Sequence, residues 1–220
     1  MRVNLGAGAS PTPGWLNFDN SPSVRLYRVP GLIAILAKVK ILTTHQREYA
    51  KIARNQNVRW ANAVRRIPLP SGSVEVVYTS HMIEHLDPRS EVPMFLEEVR
   101  RVLRPGGILR VAVPDLLRSA RRYVQETHDA DDFINSLLMA DQTPRHFFPL
   151  LQQALVGSRG HRWMYDARSL IQLLETNGFS SVREVSAGQT MIPDPGELNL
   201  REREDESTYV EARLGAVSPT

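Results

Sequence analysis

Between positions 80 and 86 the chain reads Ser80-His81-Met82-Ile83-Glu84-His85-Leu86, and another histidine, His161, follows far downstream. Glu84 and His85 stand three and four residues after His81, which sets the three side chains on one face if a helix begins there. Two imidazoles around a carboxylate, joined by His161, can gather a divalent ion through nitrogen and oxygen donors. Alternatively, His81 or His161 can act as a general base toward a reacting group, and His146 is a further histidine ahead of His161. A plainer reading makes Glu84-His85-Leu86 a structural turn whose His85 is satisfied by backbone. It outweighs the ion, so metal ligands stay unassigned and a divalent metal is the disfavoured option.

A second set of residues suits a nucleoside-like ligand. Gly6-Ala7-Gly8 carries no bulky side chain, so the backbone there can turn tightly and approach a ligand closely. The third glycine of the dinucleotide fingerprint is missing and Ser10-Pro11 follows instead, which disfavours a pyrophosphate site. Asp19 can accept hydrogen bonds from both hydroxyls of a ribose, or it can form the turn before Asn20-Ser21-Pro22. With the glycines upstream, the ribose role is the stronger.

The elements that must position these groups follow from periodicity and breakers. Residues 2–5 and 15–19 read as strands, each ending at one part of the second set. Residues 29–53 have Leu32, Ile35, Leu36 and Val39 at helical spacing, and residues 58–63 suit a third strand. Residues 74–78 form a clear β run. Next comes a helix with Ser90 as candidate cap and Val92, Phe95, Leu96, Val99 and Leu103 on one face, stopped by Pro105-Gly106-Gly107. Residues 108–113 are almost uniformly apolar, as a strand buried on both faces must be. Residues 116–162 are helical in pattern but hold Pro144 and Pro149, and they suit a cover over the site. A helix over 167–177, with Asp166 as cap and Gly178 after its end, precedes two last β runs at 181–185 and 207–212. Between those runs, Arg201-Glu202-Arg203-Glu204-Asp205-Glu206 reads as a solvated charge run. Seven strands alternating with helices, then a closing antiparallel β pair, predict an α/β fold: a Rossmann-like, open, mostly parallel sheet with helices on both faces.

Composition narrows the function classes. A chain of 220 residues suits one domain, 1–220, with helical insertions at about 24–56 and 116–162. The absence of cysteine excludes disulfides, thiolate zinc sites and a cysteine nucleophile, and it fits a cytoplasmic protein. The most apolar stretch is broken by Gly31, Lys38 and Lys40, so neither a membrane span nor a signal peptide is expected. The net charge of +3 comes from 27 basic residues interleaved with 24 acidic ones, which suits a mixed solvated surface better than a nucleic-acid face.

Five blocks, in order, carry a resemblance: Val3-Asn4-Leu5-Gly6-Ala7-Gly8; Gly14-Trp15-Leu16-Asn17-Phe18-Asp19; Ile67-Pro68-Leu69-Pro70-Ser71-Gly72-Ser73-Val74-Glu75; Ser80-His81-Met82-Ile83-Glu84-His85-Leu86; and Leu103-Arg104-Pro105-Gly106-Gly107. Together they resemble class I S-adenosylmethionine-dependent methyltransferases of the small "methyltransferase type 11" sort, over roughly half the chain. The resemblance implies that Gly6, Ala7 and Gly8 border the methionine part of S-adenosylmethionine and that Asp19 holds its ribose. It places Asn62 where the family often has an aspartate facing the adenine amino group, with Ala63 beside it. Ser80 and His81 then lie near the sulfonium and the methyl. Ala7 replaces a common cysteine. No helices precede the first strand in this sequence, so the substrate cover is expected from 116–162, with 29–53 as a second wall.

Three functions compete. Methyl transfer to oxygen, less often nitrogen, of a small molecule or glycan leads. An RNA methyltransferase is suggested by the basic pI and the histidines, since metal-dependent small-RNA 2′-O-methyltransferases resemble the cluster with a Glu-x-x-Glu-His helix; here His81 stands at the first Glu. A redirected cofactor-binding module is suggested by Asn62 and Ala7. A homodimer would follow if an insertion exposed apolar surface, and no residue pattern demands one.

Overall fold

The computed structural model describes residues 1–26, 29, 31, 51–126, 129–139 and 160–215. Seven strands form one sheet: β1 Arg2–Leu5, β2 Leu16–Asp19, β3 Arg59–Trp60, β4 Val74–Ser80, β5 Leu103–Pro114, β6 Phe179–Val185 and β7 Ser207–Leu214. Their spatial order is β3-β2-β1-β4-β5-β7-β6. Every pairing from β3 to β5 is parallel, and β7 runs antiparallel to both β5 and β6. Strand order reverses between β1 and β4, which opens a crevice beyond their carboxyl ends, the place where such sheets bind ligands. The expected Rossmann-like sheet with a closing antiparallel pair is therefore present.

The helices are α1 Pro22–Leu26, α2 Glu91–Val102, α3 Leu116–Gln125, α4 Ala130–Ser136 and α5 Ala167–Thr176. Residues 51–55 are also helical. Helix α2 buries Val92, Phe95, Leu96, Val99 and Val102, a stripe at helical spacing that joins β-strand side chains in the main core. Its start differs from expectation. Ser90 makes no side-chain cap; Asp87 does the work, its Oδ1 accepting from the backbone N–H groups of Arg89 and Ser90 and from the Ser90 hydroxyl. An aspartate followed by proline holds such a turn through local acceptor bonds, which moves the capping function upstream. In α5, by contrast, Asp166 and Ser169 form the full reciprocal capping box.

Two strand limits also differ. The third strand is only Arg59–Trp60, not 58–63. β5 begins at Leu103, so Pro105-Gly106-Gly107 lies within the strand: Val74 pairs with Leu103 and Val76 with Ile108, which makes the stretch between them a bulge. Proline and glycine mark an irregularity in the strand here and do not separate it from the helix by a loop.

Side chains alternate across the sheet. Leu109, Val111, Val113, Val77, Val210 and Ala212 face the core beneath α2 and α5. Tyr78, Ile108, Ala112 and Tyr209 face the other way and pack against Ile192, Leu198, Met191 and Leu200 from the non-helical segment 186–206. At the β2–β3 edge a small cluster of Ala7, Val24, Ala53 and Val58 seats α1 and residues 51–55. Of the two expected insertions, α3 and α4 fall in 116–162 and bury none of their residues, stacking Tyr123 on Phe133 at 4.7 Å. Most of 29–53, as well as 140–159 with His146, lies outside the described residues. Among the described residues no helix is long and apolar enough to cross a membrane.

Candidate active site at the strand ends

The turn after β1 and the end of β2 are built as one unit. The Ala7 N–H donates to the Phe18 carbonyl at 3.0 Å, and the Gly8 N–H donates to Asp19 Oδ2 at 3.0 Å. The other carboxylate oxygen of Asp19 accepts from the Ser21 N–H at 2.7 Å. Each oxygen retains a lone pair, so the largely buried carboxylate can organise the glycine turn and still accept from a ligand. Gly6 has φ +69°, and a Cβ there would come within 2.5 Å of Met82 Cγ, so both backbone conformation and the Met82 side chain require glycine. After β3, Asn62 Oδ1 accepts from the Val64 N–H at 3.1 Å, which fixes the side chain beside Ala63. Thus the ends of β1, β2 and β3 bring together Gly6, Ala7, Gly8, Asp19, Asn62 and Ala63.

Across the crevice, Ser80 ends β4, and the His81 N–H still bonds the Ala112 carbonyl at 2.9 Å. His81 then takes φ +48°, a left-handed conformation that turns the chain sharply. The expected helical face is therefore corrected: Ile83–His85 is a single 3-10 turn and His81 precedes it. The three side chains converge all the same. Glu84 Oε1 lies 3.5 Å from His81 Nδ1 and 4.0 Å from His85 Nε2.

The hydrogen bonds fix the state of each ring. The Arg203 guanidinium lies 3.1 Å from His81 Nδ1 and can only donate, so Nδ1 is the acceptor and Nε2–H donates to Ser207 Oγ at 2.8 Å. Burial, then the Arg203 charge, holds the His81 pKa down at about 3. His85 Nδ1 is 3.0 Å from the Gly160 carbonyl and His161 Nδ1 is 2.8 Å from the Leu137 carbonyl. Carbonyls only accept, so both rings carry hydrogen on Nδ1 and present an unprotonated Nε2. Burial lowers the pKa of both. The turn reading is right in that His85 is held by backbone, and that bond leaves its second nitrogen available.

Glu84 is the anomaly. Its side chain is fully buried and neither carboxyl oxygen has a hydrogen-bond partner, so burial pushes its pKa up to about 8. Its backbone carbonyl accepts from Arg162 and Trp163, which ties the segment after His161 to the turn. The buried Tyr165 hydroxyl also lacks a partner, its pKa raised to about 12 by burial and by Glu84. The candidate donor atoms of Glu84, His85 and His161 all lie within 4.8 Å of one another.

Arg203, Ser207 and Tyr165 are site residues that the sequence did not disclose. Arg203 sat in a charge run read as solvated, and Ser207 opened a strand. Arg203 arrives through a buried polar latch. Arg110, in the strand read as almost uniformly apolar, is fully buried and bonds Glu211 at 2.6 Å, directly opposite in the β5–β7 register. Arg110 also donates to the Gln189 and Leu200 carbonyls, while Glu211 accepts from the Thr190 hydroxyl and the Met191 N–H. The latch clamps segment 186–206 on the sheet, and that segment carries Arg203 to His81.

The strand order, with the glycine turn and the carboxylate at the ends of the first two strands, defines a Rossmann-like sheet whose crevice suits a nucleoside-like ligand. Residues 37–111 match the family model described as a methyltransferase domain. A Mycolicibacterium smegmatis protein named "Probable S-adenosylmethionine-dependent methyltransferase" is 41% identical over 59 residues, which span 27% of this chain and 21% of that protein. The match thus spans about a fifth of that relative's length. A SAM-dependent methyltransferase from Archaeoglobus fulgidus shares 14% identity at a TM-score of 0.45, covering 96% of this chain and 85% of its own. An O-methyltransferase family protein from Burkholderia thailandensis shares 15% at 0.46, covering 99% and 51%. Residues 37–111 thus carry sequence similar to a methyltransferase domain, within a Rossmann-like sheet.

Proposed function

We propose that the protein, acting in the cytoplasm as a single domain over 1–220, transfers the methyl group of S-adenosylmethionine to an oxygen of a small molecule or glycan. The observation that carries this is the joining of the glycine turn to Asp19 at the point where strand order reverses. Gly6, Ala7 and Gly8 border the methionine part, Asp19 accepts from the ribose, and Asn62 with Ala63 meets the adenine. Ser80 and His81 sit beside the methyl. Residues 24–56 and 116–162 supply the substrate cover.

Transfer from a sulfonium is an in-line displacement, so alignment supplies most of the acceleration, and a hydroxyl acceptor must also lose a proton. His81 and His161 are the candidate bases. The Nδ1 lone pair of His81 is directed at Arg203, which suits His81 to positioning. His161 presents an unprotonated Nε2 and is the better placed base.

Calorimetry tests the cofactor role. Wild type is expected to bind S-adenosylmethionine in the micromolar range, and Asp19→Ala to lose at least about tenfold, as expected for a charged group accepting two ligand hydrogen bonds. Well-folded wild type that does not bind overturns the assignment. Methyl transfer to hydroxylated small acceptors, insensitive to salt, is the expected acceptor result; strongly salt-dependent transfer to RNA fragments overturns the acceptor class.

A further inference from the structure

We infer that Glu84, His85 and His161 form a binding site for one divalent transition-metal ion. In both histidines Nδ1–H is anchored on a backbone carbonyl, Gly160 for His85 and Leu137 for His161, and this arrangement fixes the tautomer of metal-ligating histidines by leaving Nε2 as the donor. The rings meet edge to face with centroids 5.0 Å apart, which sets them side by side next to Glu84.

The second, independent observation is the Glu84 carboxyl, which has no exposed surface and no hydrogen-bond partner on either oxygen. A buried acceptor pair without donors is costly, and native structures place such a pair where something bound completes it. Here Glu84 Oε1 lies 4.0 Å from His85 Nε2, and a ring nitrogen of His161 completes a set of donor atoms within 4.8 Å of one another. Ligands about 2.0–2.2 Å from a tetrahedral zinc ion stand roughly 3.4 Å apart, so the set closes by at most about 1.4 Å per edge.

Two histidines and one carboxylate, with positions left open, select divalent zinc, iron, manganese or cobalt over calcium or magnesium. The chain contains no cysteine, so no thiolate competes for a soft ion. His81 stays outside the set because its nitrogens are directed at Arg203 and Ser207. When bound, such an ion lowers the pKa of an oxygen that coordinates it, a task otherwise left to His161 as base.

Cobalt(II) titration of the chelator-stripped full chain, followed by visible ligand-field absorption, reads the site without any turnover. Wild type is expected to bind one equivalent, Glu84→Gln and His161→Ala to weaken binding more than about tenfold, and His81→Ala to keep the spectrum. His85→Ala, at a part-exposed position, serves if a buried variant does not fold, with circular dichroism as the check. The inference is overturned if folded wild type gives no saturable spectrum, if the ligand variants bind as wild type does, or if His81→Ala alone abolishes it. S-adenosylmethionine calorimetry in chelator separates a failure here from a failure of the methyl-transfer assignment.

Discussion

The two faces of the sheet are closed by different means. Beneath α2 and α5, apolar side chains from β1, β4, β5 and β7 meet two amphipathic helices in one continuous core. On the opposite face, segment 186–206 has no regular structure and lies over the sheet with Ile192 and Leu198 inward. Its hold depends on Arg110 and Glu211, which supply bonds to Gln189, Thr190, Met191 and Leu200. The apolar face gains stability by area, residue by residue, and tolerates partial loss. The polar face relies on a network in which each partner satisfies several groups, so one deletion leaves others buried and unpaired. The same segment delivers Arg203 and the approach to Ser207, which makes the site dependent on the less forgiving face.

The largest effect is expected from Glu211→Ala, which strands the fully buried Arg110 charge. Urea unfolding should show a loss of about 3–5 kcal/mol. Replacing both residues by methionine should recover much of that loss while still freeing segment 186–206, because a buried pair costs desolvation that an apolar pair does not. A loss below about 1 kcal/mol for Glu211→Ala would erase the contrast between the faces.

On the helical face, Leu174→Ala removes a fully buried side chain of α5 and is expected to cost about 3 kcal/mol. S-adenosylmethionine affinity, measured well below the melting transition, should not change, because α5 packs chiefly on β6 and β7, away from the glycine turn and Asp19. Reduced affinity would mean that the two faces are coupled.

A smaller, pH-dependent effect is expected at Glu98 of α2. Its carboxylate accepts from Arg101 and from the Ile67 N–H, pinning the loop before β4, and the Arg101 hydrogen bonds hold its pKa below the ordinary 4.5. A carboxylate depressed in the folded state stabilises the fold above its unfolded pKa and loses that contribution as pH falls through the folded value. Wild type should therefore lose about 1 kcal/mol more than Glu98→Gln on going from pH 6 to pH 3, read from melting temperatures.

The helical face was largely legible in the sequence. The α2 stripe and the Asp166 cap follow from spacing and residue type, as do the glycine turn and Asp19 at successive strand ends. The polar face was not. Arg110 in an apolar run and Glu211 in a β run carry no local sign that they meet across 101 positions, because only strand order makes them neighbours. The same holds for Arg203, whose neighbours Glu202, Glu204, Asp205 and Glu206 mark an exposed stretch equally well. His81, Glu84, His85 and His161 were visible as residues, but their geometry was not: a left-handed His81 and a 3-10 turn, not helix periodicity, bring them together.

Arg203→Ala gives the smallest stability change and the sharpest reading of how the faces differ. The side chain is more than half exposed and its ion pair with Glu206 spans 3.6 Å, so thermal unfolding should move by no more than about 0.5 kcal/mol. Yet Arg203 is the donor that orients His81, and its removal frees Nδ1 and lets the ring rotate about its remaining bond to Ser207. If the polar face serves the site, turnover should fall several-fold with S-adenosylmethionine affinity retained, and Arg203→Lys, which keeps one donor and the charge, should restore part of it. Unchanged turnover in both variants would make the latch purely structural. Equal losses in turnover and cofactor affinity would instead place Arg203 in the cofactor's own contact set.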